Sequence, residues 1–207
     1  VEPNVITHPL VADRLRIVRD ASSDTAQFRS AMEQLGQMLS YEALTNLEFD
    51  TVPVTTPVTE TTGTYVHRNV LFVPVLRAGL GILDAALRLV PEASIGFVGM
   101  ARNEESHVPE AYLASLPKDL DAKQIFVLDP MLATGGSLIA TCEELVSRGA
   151  KHITAVCVLC APEGIAALQE SGLPVSLVTA SIDERLNSDA FIVPGLGDAG
   201  DRLFGPR

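Results

Sequence analysis

In residues 125–148, IFVLDPMLATGGSLIATCEELVSR, an apolar run ends on an acid, and two hydroxyls and two glycines then precede a helix-like stretch. Such a stretch can take a phosphate. Asp129 would end a buried strand, and Thr134, Gly135, Gly136 and Ser137 would open a helix whose free amides and dipole favour an anion. A capped helix after an ordinary turn is the plain alternative. There is no Gly-Lys-Ser/Thr ending, so this is not a nucleotide-triphosphate loop of the Walker type. VPVLRAGLG (73–81) sets Arg77 in a strand-to-helix turn among small residues, and MARNEE (100–105) supplies Arg102. Each guanidinium is either a surface charge or a grip for an anion. Gly195, Gly197 and Gly200 have the G-x-G-x-x-G spacing, but the seven residues after Gly200 leave no room for a crossover helix and second strand.

Other candidates carry less. Cys157 and Cys160 form a C-x-x-C inside an apparent strand, where positions three apart face opposite ways, so they are expected as buried small hydrophobes. His8, His67, His107 and His152 lack metal-ligand spacing, and no G-x-S-x-G elbow occurs. His107, Glu104 and Glu105 read as solvated loop residues.

These residues need elements to hold them. Residues 24–48 have apolar side chains at three- and four-residue spacing behind Asp24, which predicts a long helix capped by that acid. TVPVTTPVTETTGTYV (51–66) is rich in Thr, Val and Pro and suits an extended arm outside the main sheet. From residue 70, apolar runs at 70–76, 94–100, 125–129, 153–160 and 175–182 alternate with helical patterns at 80–90, 137–148 and 162–171. That alternation predicts an α/β fold, a mostly parallel sheet covered by helices on both faces, which binds ligands beyond the carboxyl ends of its strands. Residues 102–119 read as a long loop able to serve as a lid.

The 207 residues suit a single domain with a full core and no need of disulfides. A net charge of −11 argues against nucleic acid or an anionic membrane as the main partner, so an anionic substrate needs placed arginines, amides or a cation. No signal peptide is visible in VEPNVITHPL, and the apolar runs are too short to span a bilayer. Three sparse cysteines fit a reducing cytoplasm.

DPMLATGGS (129–137) resembles the ribose-phosphate loop of the phosphoribosyltransferases, in the form of the uracil phosphoribosyltransferase family, where the first acid is followed by proline. VPVLRAGLG resembles that family's pyrophosphate loop, and FIVPGLGDAGDRLFGPR (191–207) its uracil loop. The likeness runs from HPLV (8–11) to FGPR (204–207), with an N-terminal helical arm before the sheet. It implies transfer of phosphoribose from 5-phospho-α-D-ribose 1-diphosphate (PRPP) to uracil, giving UMP and diphosphate, with Mg²⁺ held through substrate and water. Asp129 would hold the ribose hydroxyls. Pro130, Met131, Leu132, Ala133, Thr134, Gly135, Gly136 and Ser137 would form the loop around the 5′-phosphate. Arg77 and Arg102 would hold diphosphate, Asp198 would orient the metal through water, and main-chain groups at Ile192, Gly197, Asp198 and Ala199 would read uracil. The family is usually dimeric or larger, and some members respond to GTP. The sequence departs from the family at Phe191 and Ala101, each in place of Tyr, and at Arg185, in place of Gly. Two rivals stand beside this reading: a regulator that keeps the fold to bind RNA or a partner, and a transferase for another base.

Overall fold

The computed structural model describes residues 2–102 and 109–206; for residues 101–111 no side chain is described. In chain order the elements are β1 (Pro3–Val5), α1 (Pro9–Arg19), α2 (Thr25–Ala43) with a 3-10 turn at Leu44–Asn46, β2 (Phe49–Thr55), β3 (Glu60–Val66), β4 (Val70–Leu76) and α3 (Leu80–Leu89). Next come β5 (Ser94–Ile95), β6 (Phe97–Arg102), β7 (Pro109–Ser115), β8 (Gln124–Leu128), β9 (Met131–Leu132), α4 (Gly136–Ser147) and β10 (Ile153–Cys160). The chain closes with α5 (Pro162–Glu170), β11 (Val175–Ile182), β12 (Arg185–Leu186), β13 (Ile192–Val193) and α6 (Ala199–Phe204).

The continuous apolar runs become the middle of one sheet, in the order β1-β11-β10-β8-β4-β6-β7, parallel except for the β6–β7 pair. Strands buried on both faces have no polar side to alternate, which is why they read as runs. One core, containing Phe28, Leu35, Phe72, Ile82, Phe126 and Leu203, lies under α1, α2, α3 and α6. The other, containing Val73, Val127, Leu138, Leu145 and Leu168, lies under α4 and α5. The expected α/β architecture with helices on both faces is therefore present. Asp24 caps α2 as expected: its carboxylate accepts from the Gln27 amide at 2.8 Å, and the Gln27 side chain accepts from the Asp24 amide at 3.0 Å. The helix ends at Ala43, short of residue 48, because the chain tightens into the 3-10 turn and then enters β2. β2 and β3 form their own two-stranded sheet, the expected arm.

Two readings need correction. Residues 109–115, taken as loop, form β7, which pairs antiparallel with β6 at the sheet edge; only one side of such a strand is paired, so its pattern is mixed. The expectations for Glu104, Glu105 and His107 lie outside the described residues. The second correction concerns β10. The amides of Val158 and Leu159 both donate to the Pro130 carbonyl, at 2.8 and 3.0 Å, and both side chains join the same core. Alternation breaks at that point, so Cys157 and Cys160 share a face instead of opposing each other. Both are fully buried, and no group of three metal-ligating side chains occurs among the described residues. The Cys160 neighbour and burial push the Cys157 thiol well up, so it stays protonated.

Candidate active site

The carboxyl ends of β4 and β8 open onto one cleft of about 530 Å³, beside the N-terminus of α4. Its lining includes Arg77 and Ala78 after β4, Asp129 after β8, residues 131–138, and Asp198, Gly200 and Asp201 from the C-terminal segment. Three stretches far apart in sequence thus meet in one place.

The loop after β8 is built locally. β8 delivers Asp129 at its end, the turn carries β9, and α4 begins at Gly136. Gly135 is the N-cap at φ 88°, a conformation glycine adopts without the Cβ penalty, and no side chain caps the helix. The Gly136 amide makes a long contact to Thr134 Oγ1 at 3.5 Å, and the start of α4 otherwise opens on the cleft without a capping side chain. Asp129 is 8% exposed, and burial pushes its carboxyl up to about 7, opposed by the Met131 amide at 3.5 Å. Cys142, on α4, is pushed up to about 12 by burial, the Asp129 charge and Glu143.

Arg77 follows a cis peptide at Leu76, and its Nη2 donates to Asp201 Oδ1 at 3.1 Å. Asp201 belongs to α6, whose N-cap is Asp198: the Asp198 carboxylate accepts from the Asp201 amide at 2.8 Å. A Cβ placed on Gly200 would lie 3.2 Å from Asp198 Oδ1 and 3.7 Å from Arg77 Nη2, so that helix start sits directly on the arginine.

The expected site residues divide. Arg77, Asp129, Met131, Leu132, Ala133, Thr134, Gly135, Gly136, Ser137 and Asp198 line the cleft. Pro130 does not; it is buried, and its carbonyl is taken by β10. Ile192, Gly197 and Ala199 are not part of that lining: Ile192 and Ala199 are buried in the core, and Gly197 is exposed at φ 81°. Arg102 ends β6, where its backbone pairs with Pro109, and its side chain lies outside the described residues. Sequence reasoning missed Asp201. Its signal was available, since Asp198 and Asp201 stand three apart, the spacing of a cap and the first turn it holds.

A model of the family described as uracil phosphoribosyltransferase matches residues 5–206. The chain belongs to that family. Among similar proteins, the uracil phosphoribosyltransferase of Corynebacterium diphtheriae is 54% identical over 100% of this chain and 98% of its own length. That of Streptomyces griseus is 51% identical over 98% and 97%. Among solved structures, the AQ2163 protein of Aquifex aeolicus superposes with a TM-score of 0.92 at 36% identity, over 99% of this chain and 98% of that one. A hypoxanthine-guanine phosphoribosyltransferase from Bacillus anthracis, 11% identical, aligns 77% of this chain with 80% of that one at a TM-score of 0.51, a likeness of fold alone. The uracil phosphoribosyltransferase family thus spans the chain, including all three stretches that meet in the cleft.

Proposed function

We propose that the chain transfers phosphoribose from PRPP to N1 of uracil, forming UMP and releasing diphosphate. The observation that carries this is the meeting of Arg77, the 129–137 loop and the 198–201 segment in one cleft, in a chain of the uracil phosphoribosyltransferase family. Each part of the substrate pair then has a partner of suitable chemistry. The α4 amides with Thr134 and Ser137 take the 5′-phosphate dianion. The Asp129 carboxylate accepts the two ribose hydroxyls, and Arg77 with Arg102 takes the diphosphate. Backbone groups at Ile192, Gly197, Asp198 and Ala199 match the alternating acceptors and donor of uracil. A cytosine amino group in the same place would leave buried polar groups unpaired, at about 1–3 kcal/mol each.

Asp129, Asp198 and Asp201 line the cleft, yet no three metal-ligating side chains cluster among the described residues. That donor set suits Mg²⁺ carried on diphosphate and water rather than in a protein cage. Bound there, Mg²⁺ would add positive charge against the leaving oxygens. In the reaction the C1′–oxygen bond breaks with its electron pair leaving on diphosphate, N1 bonds to C1′, and the N1 proton passes to solvent. Arg77 must turn from Asp201 to diphosphate for this, and the carboxylates then face the cationic character that develops on the sugar.

The decisive experiment mixes protein, Mg²⁺, uracil and PRPP and follows UMP; no product overturns the reading. Cytosine, orotate and hypoxanthine in place of uracil test the base, and GTP added to the same assay tests it as an effector. Self-association is supported by an apolar groove of about 310 Å³ that includes Leu10 and Tyr41, 55% and 68% exposed, and sedimentation would measure it. No helix among the described residues is long and apolar enough to cross a membrane.

A further inference from the structure

The base-reading segment is held by an ion pair that reaches it from the opposite end of the chain. Arg19, at the end of α1, meets Asp183 just after β11: Nη1 donates to Oδ2 at 2.7 Å and Nη2 to Oδ1 at 2.6 Å. Both partners also grip Gly195. The Gly195 amide donates to Asp183 Oδ2 at 2.9 Å, and its carbonyl accepts from Arg19 Nη1 at 3.0 Å. Ser181 completes the set, its hydroxyl donating to Asp183 Oδ1 at 3.0 Å. The Asp183 side chain is 2% exposed. Burial alone would raise its carboxyl; the Arg19 and Gly195 hydrogen bonds, the Arg19 charge and the Ser181 hydroxyl together outweigh that and hold it below the usual range. Gly195 has φ 64°, and a Cβ there would run into the Ile192 carbonyl oxygen. The turn therefore has little freedom once its N–H and C=O are both tied.

We infer that Arg19 and Asp183 are positioning residues for base recognition, holding the turn at Gly195 so that the backbone on either side, at Ile192 and at Gly197 to Ala199, keeps the register that uracil needs. This rests on the reading of the cleft given above. What the pair supplies is geometry more than stability. Desolvating two charges offsets much of a buried pair's attraction, so a buried ion pair is weak ground for stability. These two groups also bind both polar atoms of one glycine in the base segment, and an apolar pair could not do that.

The test compares wild type with Arg19→Lys, Arg19→Met and the double variant Arg19→Met/Asp183→Leu. The double variant leaves no buried charge unpaired and keeps the fold testable if Arg19→Met alone unfolds by circular dichroism. For Arg19→Met and the double variant, the KM for uracil rises about tenfold or more, while the KM for PRPP and kcat stay within about twofold. Preference for uracil over cytosine narrows in both. Arg19→Lys, which keeps the charge but loses the fork, falls between them and wild type. A folded double variant with an unchanged uracil KM overturns the inference, as does a parallel rise in the KM of both substrates. Wild type that forms no UMP would instead overturn the proposed reaction itself.

Discussion

The two sides of the cleft are made in opposite ways. The side proposed to take phosphate is a contiguous strand, turn and helix, from β8 through Asp129 to α4, and its polar groups are backbone amides and side chains within nine residues of each other. The side proposed to read the base borrows its shape from afar. Arg19 reaches Asp183 across 164 residues. Arg202 donates to the carbonyls of Val18, Leu196 and Asp20, with its guanidinium 4.2 Å above the Phe28 ring. Arg29 donates to the Leu203 carbonyl at 2.6 Å. A local motif needs only its own residues to be right, whereas a borrowed one fails when a distant anchor fails. Damage to the two sides should therefore look different in kinetics.

The sharpest contrast comes from Arg77→Ala. The side chain is about one-third exposed and its ion pair is with Asp201, so the fold should persist, with a melting temperature within a few degrees of wild type. Turnover should fall at least about a hundredfold, because the leaving group loses its donor. Near-normal turnover would remove Arg77 from that role. Gly195→Ala strikes the base side: the new Cβ meets the Ile192 carbonyl oxygen, and φ 64° disfavours any side chain. It should raise the KM for uracil about tenfold with little change for PRPP, and cost about 2 kcal/mol in denaturant unfolding. Equal effects on both substrates would erase the distinction between the two sides.

Asp129→Asn separates binding from stability on the phosphate side. The folded carboxyl titrates at about 7 against an ordinary 3.8, so the native state binds the proton more tightly across that window. Its contribution is complete below the lower value and is lost as pH rises through the upper one. At pH 8 the asparagine variant should be the more stable of the two in denaturant unfolding, with the difference gone near pH 4. In wild type, kcat/KM for PRPP should fall as pH drops below about 7, since a protonated Asp129 accepts fewer hydroxyl bonds. A flat profile through that range would contradict the assignment. The smallest effect is a control. Asp24→Ala removes a capping box that is not part of the cleft lining and should cost about 1 kcal/mol, leaving kcat and the KM for PRPP unchanged.

The same contrast explains what the sequence discloses. Asp129, Thr134, Gly135, Gly136 and Ser137 were legible because strand, turn and helix follow one another without interruption. Arg77 was legible for a similar reason, in the turn between β4 and α3. β4 and β10 could be bounded to the residue because near-complete burial leaves an almost unbroken apolar run, and β11 because its apolar residues, spaced by Ser and Thr, are set off by Pro174 before it and a charged stretch after it. Arg19, Asp183 and Arg202 could not be found, since nothing local marks a guanidinium that will bond a carbonyl far along the chain. Asp201 stood beside a residue already singled out, and its partner Arg77 lies 124 positions away. The shared face of Cys157 and Cys160 was hidden because the broken alternation in β10 comes from the Pro130 carbonyl of a neighbouring segment, not from β10 itself. β7 was hidden by the mixed pattern that an edge strand is free to carry.

Asp201 also gives Arg77 a counter-ion built into the chain. With its carboxylate tethered 3.1 Å from the Arg77 guanidinium, a stray inorganic anion must outcompete a counter-ion that never diffuses away. A polydentate ligand that also engages the sugar loop has enough other contacts to displace it. On the proposed reading, the tether weighs against simple anions and in favour of the larger ligand.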